Sequence, residues 1–318
     1  MKFEPLVSIV IPVYNGSNYV KEAIDSALEQ TYKNKEILVI NDGSTDDGAT
    51  RSIAESYGDK IRYIEKENGG VSSALNTGIA NMRGEYFSWL SHDDVYTPDK
   101  LEVEVKALST LDNKDALVYC ADMQIDKDSK PLSAVQGPPK LTPHKLNPWN
   151  SVLKLLLVEG TLNGCAFLIP KKIFDVCGGF DETLRYNQDS FMWYKIFMEK
   201  YPLYYVPKVC VKNRVHDKQL TQTGRSIFRH DCLAMSEYLI PKFTEISTKE
   251  DNFIYGYMLY NAKYGNREVV ANSMKAAKAA GLANASDSLK IRSMQAYGTV
   301  RPIIRKAYYR LVKHTKTK

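Results

Sequence analysis

Apolar positions along this chain follow two rhythms, and the switches between them mark out most of its elements. Leu6 to Ile11 is a continuous apolar run broken only by Ser8, the pattern of a parallel strand buried on both faces. Pro12-Val13-Tyr14-Asn15-Gly16 closes it, and Val20, Ala23, Ile24, Ala27 and Leu28 then recur at helical spacing. Residues 36–40 predict a second strand, stopped by Asn41-Asp42-Gly43-Ser44. A helix over 50–57, a strand over 61–64, a helix over 71–82 and a strand over 86–90 follow. Such alternation predicts βαβ units, right-handed crossovers and a mostly parallel sheet flanked by helices. In an open sheet of this kind the ligand crevice lies beyond the carboxyl ends of the strands. Tyr14-Asn15, Asn41-Asp42 and Asp93-Asp94 all fall there.

Further along, the pattern predicts a helix over 98–111 and a strand over 116–120. Residues 127–150 hold five prolines and Trp149 but few large apolar residues, the composition of a long surface loop. Regular structure resumes near Val152, with a strand within 160–170, a helix over 190–198 and a strand pair over 203–211 around Pro207. Beyond about residue 223 the periodicity is helical throughout. The expected division is an α/β domain over 1–223, its two halves meeting near 115, and a helical region over 224–318.

Charge changes the picture at one end only. The chain of 318 residues carries a net +6, but residues 288–318 hold nine Lys/Arg and no acid, leaving 34 Lys/Arg against 37 Asp/Glu elsewhere. Within that tail Val300, Ile303, Ile304, Ala307, Tyr308, Leu311 and Val312 form a narrow helical stripe, flanked by Arg301, Arg305, Lys306, Arg310 and Lys313. A basic amphipathic helix reads as an interfacial membrane helix. The alternative packs the stripe against the α/β domain or a second copy in a homodimer. No aromatic–basic platform or nucleic-acid module accompanies the tail, so nucleic acid is not expected. Five cysteines without a C-x-x-C pair suit buried thiols in a reducing compartment. No stretch approaches the roughly 20 apolar residues of a membrane span. The expected location is cytoplasmic, at most peripheral on the inner face of a membrane.

The most informative chemistry is the Asp93-Asp94 pair, which ends the apolar run at Leu90. Two adjacent acids where a buried strand emerges are costly unless a positive group sits beside them. A divalent cation carrying a diphosphate meets that need, because hard cations take carboxylate and phosphate oxygens together. A helix N-cap is the bland reading, although Asp99 suits that role better by position. Asp42 can equally be a turn-former before Gly43-Ser44, and Asp189 an N-cap for the helix that follows it.

Taken together, Ser8 to Asn15, Val39-Ile40-Asn41-Asp42-Gly43-Ser44-Thr45-Asp46, Asn68-Gly69-Gly70, Asn76-Thr77-Gly78 and Asp93-Asp94 resemble the family 2 inverting glycosyltransferases of the GT-A fold. The resemblance covers roughly residues 5–216, with the motifs in the right order. It implies a GT-A catalytic domain, with a nucleotide-sugar-binding half over 1–115, an acceptor-binding half over 116–223 and a C-terminal helical extension. It assigns Asp42 to the imide N–H of uracil, with Pro12, Tyr14 and Asn15 shaping the nucleotide slot and Asn68 and Gly70 on the donor. It places Asp94 on a Mn²⁺ or Mg²⁺ ion and Asp93 toward the ribose. His216, in Lys212-Asn213-Arg214-Val215-His216, would complete the metal shell or bond to phosphate, and Arg214 or Lys212 would pair with phosphate oxygens.

On the acceptor side the resemblance matches Asp189 to the general base, with Gln188 where the family commonly has Glu; Asp181 is a rival. Gly164 and Cys165 match where the family brings backbone close to the acceptor, and His92 and Trp149 are further acceptor candidates. Leu75 stands where family members usually carry Arg, so any donor contact made by that Arg is absent or supplied elsewhere. The implied activity is metal-dependent, inverting transfer of a sugar, expected from a UDP-linked donor, to a hydroxyl of a growing and lipid-linked glycan in surface-polysaccharide assembly. The rivals are a nucleotidyltransferase making the sugar nucleotide and a non-catalytic sugar-nucleotide-binding scaffold. The first would be expected to carry a basic Gly-rich loop after strand one, and Pro12 to Gly16 lacks the basic residue.

Overall fold

The computed structural model describes residues 3–132, 141–160, 162–216, 225–284 and 286–298. Chain contacts divide it into two compact units, Met1–Val152 with Thr161–Gly224, and Leu153–Gly160 with Arg225–Lys318. The eight residues 153–160 therefore belong with the C-terminal helices, a membership that a single cut near 223 does not provide.

In the first unit β1 (Val7–Val13) lies between β2 (Lys35–Asn41) and β4 (Tyr86–Trp89), and β3 (Arg62–Glu65) pairs with β2, all parallel. Every residue of β1 and β4 is buried, which explains their unbroken apolar runs. The crossovers are α1 (Val20–Leu28), α2 (Ala49–Glu55) and α3 (Val71–Asn81). Past β4 the sheet turns mixed. A short β5 (Val95–Tyr96) and α4 (Lys100–Ser109) precede β6 (Leu117–Ile125), β7 (Leu146–Asn147), α5 (Trp149–Glu159), β8 (Phe167–Pro170), α6 (Lys172–Cys177), α7 (Gln188–Met198) and β9 (Leu203–Arg214). The strand order is β3-β2-β1-β4-β8-β6-β9-β5, with β7 on β9. β8 runs antiparallel to both neighbours and so joins the parallel quartet to the parallel pair β6–β9.

Three expectations are corrected here. The strand pair around Pro207 is one strand, β9, whose partnering with β6 skips residues between Val206 and Val209 and again before Val211. Proline has no N–H to give the ladder, and a bulge is where a strand accommodates it. The strand placed within 160–170 begins only at Phe167, after a 3₁₀ turn at Gly164–Ala166. Residues 127–150 are not one loop: Ile125 bridges Pro131, β7 follows, and α5 already starts at Trp149.

The second unit contains α8 (Arg225–Ile246), α9 (Phe253–Tyr264), α10 (Arg267–Ala279) and a helical stretch over 286–298. Leu239, Phe243, Phe253, Ile254, Tyr257 and Met258 are its buried core, with Phe243 and Tyr257 rings 5.1 Å apart. Among the described residues no helix is long and apolar enough to cross a membrane. The basic stripe over 300–312 lies outside the described residues.

Candidate functional site

Four sheet ends build the site, beginning with Asp42 just past β2. Its carboxylate accepts from Lys66 Nζ (2.8 Å), the Gly69 amide (3.0 Å) and the Gly70 amide (2.7 Å), while its carbonyl accepts from Asn68 Nδ2 (2.9 Å). Gly43, at φ 69°, brings the turn so close that a Cβ would stand 2.7 Å from the Asn68 nitrogen. The Asn41 side chain fixes the same turn by accepting from the Ser44 amide and hydroxyl. Asn15, in the left-handed region at φ 49°, clasps the turn from β1: its amide donates to Ser44 Oγ (2.9 Å) and its Oδ1 accepts from the Thr45 amide (2.7 Å). Pro12 is buried at the end of β1 beside Ile40, and Tyr14 is exposed above it. A carboxylate has about four acceptor positions, so three donors leave Asp42 one acceptor position for a further N–H.

Asp93 and Asp94 leave the end of β4 in opposite environments. Asp94 is buried; its Oδ1 accepts the Arg214 amide (2.9 Å) and its Oδ2 accepts the Cys165 thiol (3.3 Å). Burial, with Asp93 adjoining, pushes the Asp94 carboxyl well above the usual carboxylate range. Burial likewise pushes the Cys165 thiol up, so it stays protonated as a donor. Asp93 is half-buried, and its Oδ2 lies 3.1 Å from His216 Nε2. The imidazole packs against Tyr19, ring centroids 5.5 Å apart. The histidine at the end of β9 thus meets the first acid of the pair, whereas expectation had placed the second on the cation.

Arg214 sits differently from a phosphate-pairing residue. It is 1% exposed, stacked 4.4 Å over Tyr19, and its guanidinium donates to the Asp93 carbonyl (2.8 Å), the Asp126 carbonyl (3.1 Å), Ser129 Oγ (2.9 Å) and the Glu22 carboxylate (2.5 Å). It is the clamp that fastens the acid pair to α1 and to the turn after β6. Its partners Tyr19, Glu22 and Ser129 carry no motif, and only the fold brings them together.

The acceptor candidates scatter. His92 packs over Gly16, just past β1, where a Cβ would stand 2.5 Å from its Cδ2, and burial pushes its imidazole below the ordinary value. Gly164 lies against the Trp89 ring, where a Cβ would come within 2.5 Å of Cε3. Cys165 is engaged with Asp94 and Ser91. Trp149 opens α5 with Lys200 Nζ 6.0 Å from its ring centroid. Asp189 lies in the first turn of α7, half-buried, its Oδ1 accepting from the Ser190 amide; the capping position belongs to Asn187. Asp181 ties down its own loop through the Thr183 amide and hydroxyl.

A parallel quartet of strands, a carboxylate cradled at the end of its second strand and an acid pair meeting a histidine make up the candidate site. The sequence profile described as Glycosyl transferase family 2 matches residues 8–167, and the chain belongs to that family. An uncharacterized glycosyltransferase of Rickettsia typhi is 52% identical over 222 residues, 70% of this chain and 68% of that one. Another, from Rickettsia bellii, is 49% identical over 243 residues, 76% of this chain but 34% of its own length. The chain thus spans only about a third of that relative. The crystal structure of S. aureus TarS 1–349 in complex with UDP-GlcNAc superposes with a TM-score of 0.68 at 15% identity, covering 95% of this chain and 92% of that one. The shared fold is therefore GT-A, with helices following the catalytic domain.

Proposed function

We propose that the chain is an inverting glycosyltransferase that moves a sugar from a UDP-linked donor to a hydroxyl of a glycan. The observation that carries this reading is the Asp42 cradle: a buried carboxylate pre-aimed by two amides and an ammonium, with acceptor capacity left for an imide N–H. Asn15 and Asn68 hold the turn that presents it. Adenine and cytosine carry no ring N–H on their pairing edge whereas uracil and guanine do, and the likeness in fold to TarS in complex with UDP-GlcNAc favours uracil.

Asp93 and His216 fit a divalent cation better than Asp94 does. A hard oxygen and an imidazole nitrogen converge there within 3.1 Å, a donor set suited to Mn²⁺ or Mg²⁺, while both Asp94 oxygens already accept hydrogen bonds inside the protein. Among the described residues no three His, Cys, Asp or Glu side chains converge on one metal position. Two protein ligands suit an ion whose remaining positions go to diphosphate and water. When bound, such an ion would neutralise charge developing on the departing diphosphate. Asp94 would act from beneath, holding β9 to the acid pair through the Arg214 amide.

Asp189 would take the acceptor proton as the hydroxyl oxygen attacks C1 from the face opposite the diphosphate. A lipid-linked acceptor, surface-polysaccharide assembly and peripheral membrane contact through 288–318 complete the proposal, motivated by the charge asymmetry of the sequence. Turnover of a panel of UDP-sugars, read as UDP release, tests it together with Asp189→Asn. The expected result is UDP affinity kept and turnover reduced about 10²–10⁴-fold. An Asp189→Asn variant as active as the parent would remove Asp189 from the role of base.

A further inference from the structure

Arg185 belongs to the acceptor half, four residues before Asp189, yet it reaches into the nucleotide half. Its Nη1 donates to the Gly69 carbonyl at 3.0 Å. Gly70 makes room for it: at φ 87°, a Cβ there would stand 2.2 Å from Nη1. These are the two residues whose amides hold the Asp42 carboxylate. One side of this short loop therefore cradles the base-reading acid, and the other receives Arg185.

A second tie secures the same segment. Asn76 on α3 pairs with both backbone groups of Phe180, accepting its amide at 2.8 Å and donating to its carbonyl at 2.8 Å, and also donates to Glu182 at 2.9 Å. Gly179 is pressed onto it, a Cβ there coming 2.4 Å from Asn76 Oδ1. The stretch 180–185 is thus sewn to α3 at one end and to the Gly69-Gly70 loop at the other, and α7 begins three residues later.

We propose that Arg185 is a positioning residue, holding Asp189 at a fixed distance from the Asp42 cradle, with Asn76 as its partner at the other end of the strap. This role rests on the glycosyltransferase reading above. It would place the acceptor's base and the donor's base-reading loop in one rigid frame, so that a bound nucleotide and an attacking hydroxyl meet aligned. Misplacement of about 1 Å can cost a reaction about 10²-fold, and one severed tie of two should cost less than that.

Arg185 is exposed, so its variants are expected to fold. Arg185→Ala and Arg185→Lys would be compared with the parent by UDP titration calorimetry, UDP-sugar turnover and hydrogen–deuterium exchange over residues 66–75. Arg185→Ala should lower kcat about tenfold, leave UDP affinity and donor KM within about twofold, and speed exchange around Gly69 and Gly70. Arg185→Lys should restore part of kcat, because one donor still reaches the Gly69 carbonyl. Loss of UDP affinity with kcat preserved would overturn the proposal and make Arg185 a donor contact. Unchanged kcat in an active enzyme, or unchanged exchange, would also overturn it. A parent that turns over no UDP-sugar sinks the enzymatic reading and this role together, whereas an active parent with an equally active Arg185→Ala sinks this role alone.

Discussion

Lys100→Met should destabilise the protein, by an amount that grows above neutral pH. Lys100 and Glu104 are both fully buried on α4; the ammonium donates to the two carboxylate oxygens at 2.9 and 2.8 Å and to Ser88 Oγ at 3.2 Å, and sits 4.4 Å over the Tyr96 ring. Burial pushes the Glu104 carboxyl up to about 7, against the pull of Lys100. Burial also works to discharge Lys100, but Glu104 outweighs it and holds the ammonium above its ordinary value. Because the folded value of Glu104 exceeds the unfolded one, its protonation favours the folded state. That contribution is full below the ordinary value of 4.5 and is lost as pH rises through about 7.

In the parent the loss then stops, since the ionised carboxylate has its counter-ion. Without Lys100 the carboxylate has none, its folded value climbs further, and stability keeps falling by about 1.4 kcal/mol per pH unit. At pH 6 the variant should therefore lack only the hydrogen bonds of the ammonium, about 1–3 kcal/mol. By pH 8.5, some 1.5 units above the parent value, the deficit should widen by about 2 kcal/mol, reaching the range of about 3–5 kcal/mol found when a buried pair is broken. Urea unfolding followed by circular dichroism at the two pH values measures it. Equal deficits at pH 6 and 8.5 would refute the reasoning.

Two further outcomes follow from other parts of the chain. Gly164→Ala places a methyl 2.5–2.6 Å from Trp89 Cε3 and Cζ3 and should cost about 1–3 kcal/mol through overpacking; a thermal melt indistinguishable from the parent would count against that contact. Removing residues 288–318, with their nine Lys/Arg, should reduce salt-sensitive co-sedimentation with phosphatidylglycerol vesicles, each basic residue near such a surface contributing about 1 kcal/mol. Equal sedimentation with and without the segment removes the membrane role.

The parallel half of the sheet was legible in the sequence because β1 and β4 are buried on both faces, which leaves apolar runs that turn residues punctuate sharply. Asp42 and the acid pair stood out for the same reason, as acids placed directly after such runs. Which acid of the pair meets His216 was not legible, because the direction of each side chain depends on how β9 returns to pair with β5 just after the acids. Sequence spacing cannot report that return. Glu22, Tyr19 and Ser129 were invisible as partners of Arg214, Glu22 alone being separated from it by 192 residues. The bulge at Pro207 was half legible: the proline announced an interruption, but only pairing with β6 shows that the strand continues through it.

That bulge sets where the chain can change length. Within it, between Val206 and Val211, an inserted residue can be absorbed by a strand that is already irregular. Between Val211 and Arg214 no such slack exists, because the register with β6 is unbroken there and alternate residues face opposite sides of the sheet. A single deletion there would turn Arg214 out of its clamp and carry His216 away from Asp93, even with every site residue still present. Natural variation in this strand should therefore accumulate insertions and deletions between Val206 and Val211 and spare the stretch from Val211 to Arg214.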